Sequence, residues 1–320
     1  MLSEKILITG ANGFVGSALI RQLSSYPAQQ LVALVRRSDV FLPSQAVVSV
    51  LPDDGLITSA TMEGVNVVVH CAARVHMMND RSVDALADFR KVNVDFTLDL
   101  AHKAAMAGAR RFIFISSIKV NGEGTLPGHP YKADDVPAPG DPYGVSKMEA
   151  EQGLKRLAEK HGIEIVIIRP VLVYGPGVKA NFHSMMKWLS RGIPLPLGSI
   201  QNKRSLVSLG NLVDLIIVCL DHNKAANQTF MVSDGEDVST TELLIRMGKA
   251  LEKPALLMSV PSFILEAGAT LLGRKDVFHR LNGSLQVDIE KTCELLDWHP
   301  VESLDEGLKK AAESFKSNII

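Results

Sequence analysis

Short apolar runs alternate with amphipathic, helix-period segments through the first half of the chain. The apolar runs predict strands at residues 5–9, 31–35, 46–51, 65–70, 111–115 and 163–168. The amphipathic segments predict helices at residues 14–24, 85–108 and 143–161. Because almost fully apolar strands followed by helices are typical of parallel sheets covered on both faces, this pattern predicts a doubly wound α/β fold.

The pattern changes after residue 170, where glycine and proline concentrate between Tyr174 and Gly198. Further strands are predicted at residues 204–209 and 228–232. Ser239 and Glu242 have the spacing of a capping box, which predicts that another helix begins there. The remaining C-terminal part has the pattern of helices joined by loops.

Composition and charge exclude several classes of protein. Apolar residues make up 46% of the chain and charged residues 22%, which is typical of a globular protein, and the net charge of −1 provides no basic surface for nucleic acid. The three cysteines are far apart, so we expect no disulfide framework and no metal site, and a reducing, cytoplasmic location. Pro261 and Glu266 interrupt the most apolar late stretch, so no membrane span is expected.

A glycine-rich turn joins the first predicted strand to the first predicted helix. Gly10, Gly13 and Gly16 are spaced three residues apart, with Asn12, Phe14 and Val15 between them. Glycine at these positions permits a tight turn and lets the backbone approach a pyrophosphate at the helix N-terminus. The context predicts a dinucleotide-binding turn, and the alternative is a tight turn with no ligand.

The end of the second predicted strand indicates which dinucleotide binds. An acidic residue at this point accepts hydrogen bonds from the ribose of NAD, whereas the chain has Val35, Arg36 and Arg37 there. Because a guanidinium pairs well with a 2′-phosphate, the sequence favours NADP(H) among the NAD(P)(H) cofactors. The alternative is that Arg36 stacks on adenine or faces solvent.

Tyr143 and Lys147 are candidate catalytic residues. Four positions separate them, so on a helix they lie on one face. Asp141 suits the N-cap and Pro142 the first helical position, which predicts that the helix begins there. An ammonium group beside a phenol stabilises phenolate and lowers the tyrosine pKa, which makes the phenol an acid and base near neutral pH.

Two hydroxyl groups follow the predicted strand at residues 111–115. Ser116 and Ser117 come directly after it, and ligands bind at the carboxyl ends of strands in open α/β sheets. A hydroxyl there can hold the reacting oxygen of a substrate while a tyrosine moves the proton. Asn93, in the preceding predicted helix, can join this network, and the alternative is a structural hydrogen bond.

Together these residues resemble the extended short-chain dehydrogenase/reductase family, and within it the nucleotide-sugar epimerases, dehydratases and 4-ketoreductases. The resemblance covers nearly the whole chain and rests on the glycine turn, His70 to Ala73, Ser116-Ser117, Tyr143 with Lys147, Arg169-Pro170 and Tyr174 to Pro176. It implies a Rossmann sheet with a smaller, mixed C-terminal substrate-binding domain. We therefore predict a dinucleotide-binding domain over residues 1–172, to which residues 203–235 return, and a substrate domain over residues 173–202 and 236–320.

The resemblance also implies roles for individual residues. Tyr143 is the general acid and base at the sugar hydroxyl, Lys147 lowers its pKa and holds the nicotinamide ribose, and Ser117 binds the sugar C4 oxygen. The candidate cofactor-binding residues, from motifs and resemblance together, are Gly10, Asn12, Gly13, Phe14, Val15, Gly16, Arg36, Ala72, Ala73, Asn93, Ser116, Tyr143, Lys147 and Pro170. The candidate residues for the substrate diphosphate are Arg204 and, nearer the C-terminus, Arg280.

Departures from the family pattern narrow the expected reaction. The 4,6-dehydratases carry an Asp-Glu pair where this chain has Ile118 and Lys119, so the resemblance excludes 4,6-dehydration. Hexose 4-epimerases end the second strand with an acid, where this chain has Arg36. They also carry an asparagine after the sixth strand, where this chain has Val171 to Val173. Both departures favour a net reductase with exchangeable NADPH, and the segment from Ser116 to Glu123 is similar to enzymes of surface-polysaccharide sugar synthesis.

The sequence thus predicts an oxidoreductase acting at C4 of a nucleotide-diphosphate sugar, with a UDP-sugar favoured. A 4-epimerase and a 4-keto-sugar reductase both stay open, with a slight preference for the reductase. The alternatives are an NADPH-dependent reductase of a non-nucleotide ketone and a catalytically silent dinucleotide-sensing protein. By resemblance, we expect a homodimer that associates through two helices of each subunit.

Overall fold

The structure, a computed structural model, describes residues 4–37, 42–52, 57–75, 84–271, 273 and 275–317. Its strands are β1 (Lys5–Thr9), β2 (Gln30–Val35), β3 (Ala46–Val50), β4 (Val67–His70), β5 (Arg111–Ile115), β6 (Glu164–Pro170), β7 (Leu172–Tyr174), β8 (Arg204–Ser208), β9 (Thr229–Val232) and β10 (Asp237–Val238). Its helices are α1 (Phe14–Leu23), α2 (Ser59–Met62), α3 (Ala85–Arg90), α4 (Phe96–Met106), α5 (Pro142–His161), α6 (Ala180–Ser190), α7 (Leu209–Asp221), α8 (Thr240–Ala250), α9 (Ser262–Leu271), α10 (Lys275–Asn282), α11 (Glu290–Leu296) and α12 (Leu304–Ser317). In the described part of the chain, no helix is both long and apolar enough to cross a bilayer.

A parallel sheet carries the larger part of the fold. Seven strands lie in the order β3-β2-β1-β4-β5-β6-β9, and each neighbouring pair is parallel. Ile6 and Ile8 of β1 pack with apolar side chains of α1 and α7 on one face, and Leu7 packs with those of α4 and α5 on the other. Because alternate residues of a strand point to opposite faces, a continuously apolar strand buries both of its faces. The predicted doubly wound α/β fold is confirmed.

Strands β7, β8 and β10 form a second, smaller mixed sheet. In it β7 and β8 are parallel, and β10 pairs antiparallel with β8. Its apolar side chains form a separate core with residues of α6, α8 and α12, including Tyr174, Phe182, Leu244 and Phe315. Of the segment 203–235, β8 thus lies in the small sheet and β9 in the large one. The division of the chain into two domains stays a prediction.

The helix predicted over residues 85–108 differs in the structure. A π-helical turn at Lys91–Asp95 separates α3 from α4, so the segment is not a regular α-helix throughout. Single π turns inside helices are frequent at functional sites. The Ser239 cap of α8 is confirmed, since its hydroxyl accepts the Glu242 N–H at 3.0 Å.

Candidate active site

The glycine turn lies where β1 ends and α1 begins, at the carboxyl edge of the large sheet. Gly10 has φ +62°, and a Cβ at this position would lie 2.7 Å from the Ala72 nitrogen. A Cβ at Gly13 would lie 3.0 Å from the Gly10 oxygen, and a Cβ at Gly16 would overlap that same oxygen. The three glycines therefore pack the start of α1 against the end of β1 and against the loop after β4.

The first turn of α1 provides donors for an anion. Its N-cap, Gly13, makes no side-chain cap hydrogen bond, and the first turn carries no acidic residue. The leading N–H groups of a helix have no intrahelical acceptor and carry the positive end of its dipole. Asn12 is exposed, and Phe14 and Val15 are half-buried beside these groups. This donor set fits the pyrophosphate of a dinucleotide.

The loop after β4 lies directly against the glycine turn. Ala72 and Ala73 are half-buried in it, and the Ala72 N–H donates to Thr9 Oγ1 at 3.2 Å. Beneath the loop, His70 Nδ1 lies 2.6 Å from Thr9 Oγ1, and its Nε2 lies 2.9 Å from Thr97 Oγ1. Burial lowers the pKa of His70 to about 3, so the imidazole is neutral and holds the ends of β1 and β4 together.

Asn93 lies at the centre of the π turn and is buried. Its Oδ1 accepts the Arg74 N–H at 2.8 Å, and its Nδ2 donates to the Arg74 oxygen and to Ser146 Oγ, each at 3.0 Å. Both amide hydrogens are therefore bonded to protein atoms. The geometry favours the alternative interpretation of Asn93, in which it ties the loop after β4 to α5 rather than binding the cofactor.

Tyr143 and Ser117 meet at the start of α5. Asp141 caps this helix by accepting the Gly144 N–H at 2.7 Å, and Pro142 occupies its first position, as the sequence predicts. Burial raises the pKa of the Tyr143 phenol to about 12, and the nearby Ser117 side chain opposes this rise.

Lys147 lies one turn further along α5 with its side chain fully buried. Its Nζ donates to the Ile115 oxygen at 2.8 Å and lies 4.4 Å from the centre of the Phe114 ring. Burial lowers its pKa to about 7. Burial, which is the largest effect on both groups, disfavours the charged form of each, and the role of Lys147 in lowering the Tyr143 pKa stays a prediction.

An ammonium has three donors, and the described residues offer this one a single acceptor, the Ile115 oxygen. A dinucleotide extending from the glycine turn along the sheet edge provides ribose hydroxyls for the remaining donors. The glycine turn, the Ala72 loop and Lys147 therefore fit a nicotinamide dinucleotide.

A buried ion pair beneath the site was not predicted from the sequence. Glu151 and Arg169 are both buried, and Arg169 Nη2 lies 2.5 Å from Glu151 Oε2. Ser116 Oγ donates to the same carboxylate at 2.5 Å, so its side chain supports the site from below. Pro170 is buried at the end of β6. The signal in the sequence is the position of Glu151, four residues after Lys147 and on the same face of α5.

Arg204 and the segment that carries Arg280 lie together at the start of β8. Arg204 Nη1 donates to the Arg280 oxygen at 2.9 Å and to the Gly283 oxygen at 3.0 Å. Burial lowers the pKa of Arg204, and no carboxylate of the described residues forms an ion pair with it. Such a guanidinium suits an anionic ligand. The Arg280 side chain is exposed at the end of α10.

Arg36 lies just beyond β2 and its side chain is exposed. An exposed guanidinium at this point is compatible with adenine, with a phosphate or with solvent, so it does not select one dinucleotide. The neighbouring residues 38–41 lie outside the described part of the chain.

Comparisons with known proteins agree with this geometry. The sequence model of the family described as "NAD dependent epimerase/dehydratase family" matches residues 6–233. A UDP-glucose 4-epimerase from Vibrio cholerae is 49% identical, over 98% of this chain and 96% of that protein. A UDP-glucose 4-epimerase from Mycolicibacterium smegmatis is 28% identical, over 98% of this chain and 99% of that protein.

Solved structures share the fold. The crystal structure of a UDP-glucuronic acid 4-epimerase from Bacillus cereus in complex with NAD has a TM-score of 0.79 and 22% identity, and the match covers 98% of this chain and 96% of that one. The dinucleotide in that structure is NAD, and the preference for NADP(H) that the sequence analysis drew from Arg36 receives no support from these comparisons. The extended short-chain dehydrogenase/reductase motifs, the fold and the matches over the whole chain agree, and the chain belongs to the NAD dependent epimerase/dehydratase family.

Proposed function

We propose that this protein is a UDP-hexose 4-epimerase that retains NAD through the reaction. The observation that carries the proposal is that the Tyr143 phenol, the Ser117 side chain and the buried amine of Lys147 come together at the sheet edge that also holds the glycine turn. The similarity to the Vibrio cholerae epimerase along the whole chain supports epimerisation over net reduction. Arg204 supports a diphosphate substrate.

The substrate is held at two points. The Arg204 guanidinium pairs with the diphosphate, and its two carbonyl contacts fix the direction in which its remaining N–H groups point. The Ser117 hydroxyl hydrogen-bonds the oxygen on C4 of the sugar and orients it towards Tyr143. Two fixed ends place C4 next to the phenol, which is the geometric requirement for proton transfer.

Tyr143 moves the proton. Its phenolate oxygen takes the proton from the C4 hydroxyl and returns it to the C4 oxygen when the configuration is inverted. When bound, NAD⁺ supplies the hydride acceptor and a positive charge that favours the phenolate. Lys147 contributes its N–H donors from below the phenol and is itself oriented by the Ile115 oxygen and the Phe114 ring.

A direct assay tests this proposal. Purified protein is incubated with UDP-galactose and a catalytic amount of NAD, and the sugars are followed by NMR spectroscopy. We expect UDP-glucose to form without net consumption of dinucleotide, and Tyr143→Phe to lower kcat at least ~100-fold while NAD still binds. Stoichiometric oxidation of NADPH with a 4-keto sugar, and no interconversion of hexoses, would instead establish the 4-ketoreductase.

A second variant tests the diphosphate site. Arg204→Met should raise the KM for UDP-galactose by about 10-fold or more and remove the thermal protection by UDP, because a charge-assisted pair is lost. The matched control is Arg246→Met, since Arg246 of α8 is also an arginine but is already paired with two carboxylates, those of Glu236 and Glu242. Unchanged UDP protection in Arg204→Met would exclude this role, whereas absence of UDP protection in the wild type would favour a substrate without a nucleotide. The homodimer stays a prediction, which light scattering on the purified protein tests.

A further inference from the structure

Lys119 connects the two hydroxyl-bearing segments of the site. Its backbone N–H donates to Ser117 Oγ at 3.2 Å, in the one-turn 3₁₀ helix Ile118–Val120 that Ser117 caps. Its ammonium lies 2.6 Å from Asp141 Oδ2, and the other oxygen of that carboxylate caps α5 at Gly144. One residue therefore contacts Ser117 through its main chain and the first turn of the Tyr143 helix through its side chain.

A second, independent contact lies at Gly144. A Cβ at this position would lie 2.6 Å from the Lys119 oxygen, closer than side-chain atoms pack. The 3₁₀ turn is thus pressed directly against the first turn of α5, next to Tyr143. Backbone packing and an ion pair hold the same two segments together, so the arrangement is more constrained than an ordinary exposed ion pair.

We propose that Lys119 is a positioning residue for the reaction, which clamps the N-cap of α5 to the Ser117 turn and so holds the Ser117 hydroxyl against Tyr143. The proposal rests on the proposed 4-epimerase function.

Lys119 also balances a charge near the phenol. The Asp141 carboxylate raises the pKa of Tyr143. The Lys119 ammonium forms an ion pair with this carboxylate, with 2.6 Å between Nζ and Oδ2. Removal of Lys119 leaves the carboxylate unopposed and raises the phenol pKa further, whereas neutralising Asp141 lowers it. Among the described residues, the titratable groups that act on Tyr143 or Lys147 are His70, Cys71, Asp141 and Glu151, and Lys119 with Glu123 adjoins Asp141.

Two variants, Lys119→Met and Asp141→Asn, are expected to shift the pKa of Tyr143 in opposite directions, and together they test the proposal. Asp141→Asn keeps a side-chain oxygen that can cap Gly144 and removes only the negative charge. Tyr143 is observed directly by ¹³Cζ-tyrosine NMR in the presence of NAD, since the chain has 4 tyrosines and Tyr143→Phe identifies the signal. We expect the pKa of Tyr143 to be higher than in the wild type in Lys119→Met and lower in Asp141→Asn. The pKa in the double variant should lie between the values in the two single variants.

Turnover provides the second readout. Lys119→Met should lower kcat about 10-fold with the KM for UDP-galactose changed less than about 2-fold, and Lys119→Arg should restore most of the activity. The control is Lys103→Met, because Lys103 is similarly exposed and its ion pair with Asp99 has a similar length of 2.8 Å. This control should match the wild type in kcat and in the Tyr143 titration.

An unchanged kcat in Lys119→Met would overturn the proposal, and so would shifts of the Tyr143 pKa of the same sign in Lys119→Met and Asp141→Asn. The titration needs no substrate, so it decides the charge-balancing role even if the wild type fails to interconvert UDP-hexoses. Failure of the wild type would refute the proposed function alone. A fall in kcat that Lys119→Arg does not relieve would also contradict the clamp.

Discussion

Replacing Lys147 by methionine should stabilise the protein without ligand while abolishing turnover. The side chain is 1% exposed, and its ammonium donates to the Ile115 carbonyl and faces the Phe114 ring, while the nearby Glu151 carboxylate only partly offsets the effect of burial. Methionine has a similar length and no charge to desolvate. The buried Lys147 amine beside Tyr143 therefore destabilises the wild-type fold, as functional groups at active sites frequently do.

The magnitude follows from the Lys147 pKa, which burial lowers from its ordinary value of 10.5 to about 7. At about 1.4 kcal/mol per pKa unit, keeping this ammonium in the folded state costs roughly 5 kcal/mol. The cost is fully present below pH 7, where both folded and unfolded lysine are charged. It decreases between pH 7 and 10.5, where only the unfolded lysine is charged, and is absent above pH 10.5.

Chemical denaturation of the wild type and Lys147→Met at pH 6 and pH 9.5 measures this cost. We expect the variant to be more stable at pH 6 by several kcal/mol, and this advantage to shrink by about 3 kcal/mol or more at pH 9.5. Other groups titrate alike in both proteins and cancel in the difference. Lys103→Met, which removes a partly exposed lysine, is the matched control for the loss of an ammonium group.

A stability difference between wild type and Lys147→Met that stays constant from pH 6 to pH 9.5 would refute this reasoning. It would mean that Lys147 is charged at all these pH values, with acceptors that offset its burial. Destabilisation of the variant at pH 6 would lead to the same conclusion.

Two further variants test the glycine turn and the buried ion pair. Gly10→Ala should abolish NAD binding in calorimetry and lower the melting temperature, because φ is +62° and the new Cβ would meet the Ala72 nitrogen at 2.7 Å; NAD binding of wild-type affinity would contradict this. Arg169→Met should cost about 3–5 kcal/mol in denaturation, since it leaves the Glu151 carboxylate buried without its partner. Arg90→Met, which breaks an exposed pair, should change stability little, and equal losses in both variants would contradict the role of burial.

Local signals in the sequence were sufficient for the parts of the site that depend on neighbouring residues. The glycine turn follows from its position between a strand and a helix, and Asp141 with Pro142 predicted the start of α5. The apolar runs predicted the bounds of β1 and β5, because the buried central positions of both strands are apolar.

Features that depend on tertiary contacts were not predictable in this way. The π turn around Asn93 is stabilised by bonds to Arg74 and Ser146, which are distant in sequence. The Glu151–Arg169 pair also joins separate elements, and no local sequence pattern reveals that both side chains are buried. Arg36 does not select the cofactor, because a guanidinium can pair with phosphate, stack on a ring or face solvent, and the sequence does not show which.

The fate of a label on C4 tests the central claim most directly. UDP-glucose carrying deuterium at C4 is incubated with the protein and a catalytic amount of NAD, and the UDP-galactose formed is examined by NMR and mass spectrometry. An epimerase whose Ser117 and Tyr143 hold the sugar at C4 should deliver UDP-galactose with the deuterium still on that carbon. Loss of deuterium to water, or its accumulation in free NADH with no UDP-galactose formed, would contradict the account.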